Sequence, residues 1–278
     1  MAEEKSREFL DPQVLAQLAH LPLVSRFAME GSVSGHHKSP HRGSSVEFAD
    51  HKPYVVGDDL RFIDWNILIR LDRLFIKLFE EEEDLHFHVL IDVSPSMTFG
   101  EPTKLHFAKQ TAAALAFVGL VNQDRVNIST FAGDVVSTMP AARGRRSFLR
   151  VLQFLENASA SEASGSDLAK TCRTLALRTP GKGVVVLISD LLDKGGYEAA
   201  LRYLLARQMD LYVIHVLAKE EVDPELTGDL QLIDCEDGDL AEITVSAPLL
   251  RRYKANLEAF CSSVRDFCTR REIGRAHV

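Results

Sequence analysis

The chain has 278 residues, 46% hydrophobic and 26% charged, enough to bury a full core as one large domain with an appendage or as two modest domains. Its formal net charge of −8 argues against general nucleic-acid binding, which needs a surface excess of Lys and Arg. The four cysteines, Cys172, Cys235, Cys261 and Cys268, form no Cys-x-x-Cys pair, the N-terminus is charged, and no stretch approaches the roughly 20 apolar residues of a membrane span, so the expectation is a reduced, cytoplasmic protein without a membrane span.

In chain order, Asp11 to Glu30 has helical spacing at Val14, Leu15, Leu18 and Leu21, with Asp11-Pro12 as cap and first-turn proline. From Gly31 to Asp59 the texture turns to Gly, Ser, His and Pro, a loop with a short strand. His36, His37, His41 and His51 lie there without helical spacing or interleaved carboxylates, a poor pattern for zinc. In the Gly57 to Trp65 run, Asp58, Asp59, Arg61 and Asp64 can pair internally to fix a tight turn, with Trp65 as an anchor. Leu74 to Phe79 alternates as a strand, and the acidic run Glu80 to Asp84 reads as its solvated end.

His86 to Ile91 is a short apolar run of the kind expected of a buried strand, ending on Asp92. Lys104 to Asn122 is Ala-rich, with apolar residues on one helical face at Leu105, Ala108, Ala112, Leu115, Ala116 and Gly119. Arg125 to Phe131 and Val135 to Met139 form a hairpin around Ala132-Gly133-Asp134. Arg143, Arg145, Arg146 and Arg150 surround the start of a helix from Ser147 to Asn157, either as a solvated face or as a patch for an acidic partner. Helices over Asp167 to Leu177 and Tyr197 to Gln208 flank a second buried strand, Val184 to Asp190, and lead to a strand from Leu211 to Leu217. Leu230 to Ile233 and Ile243 to Ser246 form an edge hairpin, and Pro248 opens a long helix to Arg271. Such alternation predicts a mostly parallel sheet with helices on both faces, a Rossmann-like α/β domain. Gly274 to Val278 begins one more strand, so the sheet is expected to lack its last strand and helix and to end on an unpaired edge.

The chemistry concentrates at the end of the first buried strand. Asp92, Ser94 and Ser96 place one carboxylate and two hydroxyls on alternate residues of a turn at the carboxyl end of a sheet strand, where ligands of open α/β sheets bind. One carboxylate with neutral oxygens suits Mg²⁺ or Mn²⁺ better than zinc. The same residues also suit a simple Asx or Ser turn capping a helix. Together with the loop Ser164-Gly165-Ser166-Asp167 and the strand end at Asp190, Asp-x-Ser-x-Ser resembles the metal-ion-dependent adhesion site of von Willebrand factor A domains. That resemblance assigns Asp92, Ser94, Ser96, Ser166 and Asp190 to one divalent cation, with Ser166 where the family usually has Thr.

A second resemblance lies upstream. Glu47-Phe48, Tyr54, Gly57-Asp58-Asp59-x-Arg61-x-Ile63-Asp64-Trp65, Arg70 and the acidic Glu80 to Asp84 are similar to the bacterial family catalogued as domain of unknown function fifty-eight, in which they precede a von Willebrand factor A-like domain. Lys52 and Ile69 depart from that family's usual Arg and Ala. The resemblance implies an N-terminal helix and small β appendage over residues 1–84, a von Willebrand factor A-like domain over 85–278, and a MoxR-type AAA+ ATPase as partner.

Enzyme patterns fit less well. A haloacid-dehalogenase-type phosphatase needs an Asp where Ser94 stands, Gly181-Lys182-Gly183 precedes its strand instead of cradling a phosphate, and no Gly-x-Ser-x-Gly elbow occurs. The expectation is a non-enzymatic, metal-dependent protein-binding module whose partner supplies an acidic residue to the ion. A metal-dependent phosphohydrolase using the same cation is the alternative.

Overall fold

The computed structural model describes residues 12–21, 46–81, 85–161, 167–178, 183–206 and 209–277. In chain order these form α1 (Pro12–Leu18), β1 (Val46–Pro53), a 3₁₀ turn (Leu60–Phe62), α2 (Trp65–Leu71), β2 (Phe75–Glu81), β3 (His86–Asp92), a second 3₁₀ turn (Pro95–Thr98) and α3 (Lys104–Val121). They continue with β4 (Arg125–Phe131), β5 (Val135–Ala142), α4 (Phe148–Asn157), α5 (Leu168–Arg178), β6 (Gly183–Ser189), α6 (Glu198–Leu205) and β7 (Met209–His215). Last come α7 (Lys219–Val222), β8 (Gly228–Ile233), β9 (Leu240–Val245), α8 (Ala247–Thr269) and β10 (Gly274–His277). Two compact units result: Ser34–Asp84, and Met1–Val33 with Leu85–Val278.

The larger unit is a mixed α/β fold around a six-stranded sheet of order β10-β7-β6-β3-β4-β5, in which only β5 runs antiparallel. Alternation along the buried strand β6 divides the core. Val184, Val186 and Ile188 join β3, β4, α3 and α4 in one cluster, whereas Val185 and Leu187 join α5, α6, β7 and α8 in another. Helices therefore cover both faces, which is why β3 and β6 read as continuous apolar runs. In α3, alanines at 108, 112, 113 and 116 are fully buried and let the helix approach the sheet closely. The helix α1 joins the first cluster through Leu18 and Ala19, and Asn122 Nδ2 donates to Leu21 O at 2.9 Å.

In the smaller unit, β1 and β2 pair antiparallel with an irregularity between Phe48 and Asp50, and Ile63 and Ile76 form its buried contact. Asp64 organises the segment between the strands. Its Oδ1 caps α2 by accepting from the N–H of Asn66 and Ile67, and its Oδ2 takes His51 Nε2 at 3.0 Å and Lys77 Nζ at 3.4 Å. Asp59 pairs with Arg61, whereas Asp58 accepts from Lys52 Nζ at 2.7 Å and from the Val55 N–H. Gly57, at φ 108°, sits in backbone space that a side chain disfavours. The Gly-Asp-Asp to Asp-Trp signature thus makes a turn and a helix cap, with partners drawn from β1 and β2 as well as from within itself.

Several expectations change. Trp65 is 61% exposed at the start of α2 and takes no part in the buried contact of its own unit. The hairpin β8–β9 is a separate two-stranded sheet and not an edge of the central one. Gly274–His277 forms the strand expected there, paired in parallel with β7. The described part of the first helix ends at Leu18, and Asp11 and residues 22–30 lie outside the described residues.

Candidate cation site at the sheet switch point

The chain leaves β3 for β4 on one side and returns to β6 on the other, so the β3 and β6 ends flank the topological switch point, where open α/β sheets hold ligands. Asp92 and Asp190 are delivered to this point because β3 and β6 pair in register from His86↔Gly183 to Ile91↔Ile188. Asp92 is 7% exposed, and its donors are neutral: the Ser94 N–H reaches Oδ1 at 2.9 Å and the Ser189 hydroxyl reaches Oδ2 at 2.6 Å. Burial, and then the charge of Asp190, push the Asp92 carboxyl up to about 6. Ser94 opens the 3₁₀ turn with Pro95 next to it, and this turn brings the Ser94 and Ser96 hydroxyls to 3.0 Å. Two neighbouring oxygens of an octahedral Mg²⁺ with ligands at about 2.1 Å stand about 3 Å apart, so the pair has the spacing of adjacent ligands.

Asp190 is placed differently. Its Oδ2 accepts from Lys104 Nζ at 2.8 Å and its Oδ1 from the Leu192 N–H at 3.1 Å. Lys104 also donates to Glu221 Oε1 at 2.6 Å, and its side chain is 1% exposed. The turn is held by Leu191, a buried non-glycine residue in the left-handed region at φ 58°, whose N–H donates to Ser189 Oγ. Backbone of this kind costs on the order of 1–2 kcal/mol and is kept where the surroundings impose it. From behind, His215 Nε2 donates to the Asp190 carbonyl at 3.0 Å. That tautomer follows from Arg275 Nη2 donating to His215 Nδ1 at 3.2 Å, since a guanidinium only donates.

Asp92, Ser94, Ser189 and Asp190 line a small cleft with Phe131, Gly133, Leu168, Asp193 and Glu236. Asp193 is partly engaged, its Oδ2 accepting from the Leu168 N–H at the start of α5. Of the expected ligands, Asp92, Ser94, Ser96 and Asp190 come together at the β3 and β6 ends, and Ser166 lies outside the described residues. Among the described residues no three His, Cys, Asp or Glu side chains form a metal-binding group, so a cation here would draw on hydroxyl oxygens for much of its shell. Arg143, Arg145, Arg146 and Arg150 are exposed and follow β5, whose end pairs with the start of β4. That is the opposite pole of the sheet from Asp92, which pairs with Phe131 at the end of β4. Arg145 stacks over Phe117, 5.7 Å from the ring centroid.

Lys104, Ser189, Glu221 and His215 are site residues that motif spacing missed. Lys104 carried a signal, being a cation at the first position of a helix, where the dipole disfavours it.

Fold and site together define an α/β protein with a doubly wound, mostly parallel sheet and a carboxylate–hydroxyl cluster at its switch point. The chain belongs to the family described as Protein of unknown function DUF58, whose model matches residues 50–259. Relatives include Uncharacterized protein Rv1480 of Mycobacterium tuberculosis and Uncharacterized protein Mb1516 of Mycobacterium bovis, each 28% identical over 246 residues, which is 87% of this chain and 76% of theirs. Similar solved structures include the conserved hypothetical protein BatB from Bacteroides thetaiotaomicron, with a TM-score of 0.45, 17% identity and coverage of 70% of this chain and 90% of that one. An aerotolerance-related membrane protein from Bacteroides fragilis matches with a TM-score of 0.41 and 21% identity over 62% of this chain and 87% of that one. Among the described residues of this chain, no helix is long and apolar enough to cross a membrane.

Proposed function

We propose that the larger unit is a von Willebrand factor A-like, cation-dependent protein-binding module in which Asp92, Ser94 and Ser96 hold Mg²⁺ or Mn²⁺, with Ser166 and Asp190 as the remaining donors. The carrying observation is Asp92, a buried carboxylate that faces a cleft and, among the described residues, has only neutral hydrogen-bond donors beside a second carboxylate. A buried charge of this kind calls for a counter-cation. Two hydroxyls at ligand spacing supply neutral oxygens without adding repulsion. When bound, the ion supplies an open coordination position to which a partner's Asp or Glu adds. We propose the cytoplasm as the module's compartment and, on the strength of the sequence resemblance, a MoxR-type AAA+ ATPase as the partner to test first.

Calorimetry with that ATPase decides the matter. Affinity is expected in Mg²⁺, to be lost in EDTA and to fall at least a hundredfold in Asp92→Ala. Equal affinity in Mg²⁺ and EDTA would sink the proposal. So would Mg²⁺- or Mn²⁺-dependent turnover of a phosphoester panel that disappears in Asp92→Ala, the result expected of a phosphohydrolase.

A further inference from the structure

We infer that Lys104 is a tethered cation that competes with the divalent ion for Asp190 and so sets the affinity of the site, an inference that rests on the cation-dependent reading above. Lys104 is the first residue of the 18-residue helix α3, whose positive dipole end opposes a cation there, and its ammonium is 1% exposed. Burial of an ammonium is costly without close carboxylates, and Lys104 has two, Asp190 Oδ2 at 2.8 Å and Glu221 Oε1 at 2.6 Å. A residue that breaks a local rule at a ligand-facing cluster marks a functional position.

The two carboxylates differ in what they can give up. Glu221 is a fixed dock: its Oε2 accepts from the Ala218 N–H at 2.7 Å and its carbonyl from the Tyr253 hydroxyl at 2.8 Å. Asp190 stands on the cleft beside Asp92, which pairs with no Lys or Arg among the described residues. An ion that satisfies Asp92 therefore meets a second carboxylate already held by the chain. Taking Asp190 means displacing Lys104 onto Glu221, and the displaced ammonium keeps a charged partner. The positive charge left beside the ion lowers its affinity and favours loading when an acidic ligand arrives with it.

The test is titration of the full chain with Mn²⁺ alone, free Mn²⁺ being followed by electron paramagnetic resonance. Lys104→Met is expected to bind Mn²⁺ roughly tenfold tighter or better, Lys104→Arg to stay near wild type, and Glu221→Gln to bind several-fold weaker because Lys104 is then confined to Asp190. A purely structural Lys104 would weaken binding in Lys104→Met and Glu221→Gln alike, and equal or weaker binding by Lys104→Met overturns the inference. If Lys104→Met fails to fold without metal, Lys104→Gln, which keeps a neutral donor between Asp190 and Glu221, decides by the same criterion: equal or weaker binding than wild type overturns the inference. Binding by Lys104→Met where wild type binds none would uphold the tethered cation and remove the cation-dependent module as the native function. Absence of binding in both, or persistence of binding in Asp92→Ala, would overturn both.

Discussion

Among the described residues no Lys or Arg side chain pairs with Asp92, whereas Asp190 and Glu221 share Lys104. The Asp92 carboxyl, pushed up to about 6 by burial and the Asp190 charge, has a folded value above its ordinary one near 3.8. The stabilisation that goes with this is fully present below about pH 4 and is lost as pH rises through 6. In EDTA, Asp92→Asn should therefore match wild type at pH 4 and exceed it by about 2 kcal/mol at pH 8, measured by urea denaturation at both values. An unchanged difference between the two pH values would show that the carboxylate is already neutralised. Asp92 was legible in the sequence because an apolar run ended on it. Lys104 was not, since its reach to Asp190 and Glu221, 86 and 117 residues away, exists only after the sheet forms.

Among the elements, the β3–β6 pair carries the site and depends on one small residue. A Cβ on Gly183 would lie 1.9 Å from the His86 carbonyl oxygen, a backbone atom that the sheet holds in place. Gly183→Ala should cost about 3 kcal/mol or more and weaken cation binding along with it, because the register that brings Asp92 to Asp190 starts at His86↔Gly183. Chemical denaturation checks the first effect and Mn²⁺ titration the second. The sequence showed this glycine only as part of a rejected phosphate loop, whereas the buried strand that follows it was plain from its apolar run. Strands of the parallel sheet were readable because burial on both faces leaves continuous apolar stretches. Placement of β8 and β9 was not, since alternation marks a two-faced strand without saying which sheet it joins.

At the scale of the whole molecule, two buried histidines oppose the effect of Asp92. Burial, with the nearby charge of His86, lowers His88 to about 4, and burial with His277 and Arg275 does the same to His215. For both, the folded value lies below the ordinary one near 6.5, so their stabilisation is present above about pH 6.5 and lost as pH falls through 4. Each shift corresponds to about 3 kcal/mol, so together they outweigh the single carboxylate and the chain should lose stability on acidification. Replacing one histidine tests the assignment: between pH 7.5 and 4.5, His88→Leu should lose about 2 kcal/mol less than wild type in urea denaturation. Equal losses would place the acid sensitivity elsewhere.

The exposed position of Trp65 has a spectroscopic consequence. It is the only tryptophan among the 278 residues and it lies in the compact unit formed by residues 34–84. Selective excitation at the red edge of the protein absorption band therefore addresses the small unit alone, while four of the five tyrosines, Tyr197, Tyr203, Tyr212 and Tyr253, lie in the larger unit. Because the indole is 61% solvent-accessible, its emission begins near the water-exposed limit, and any blue shift signals a surface arriving over α2 and not a rearrangement of the sheet core. The chain thus carries an intrinsic optical label on one of its two units, free of any added dye.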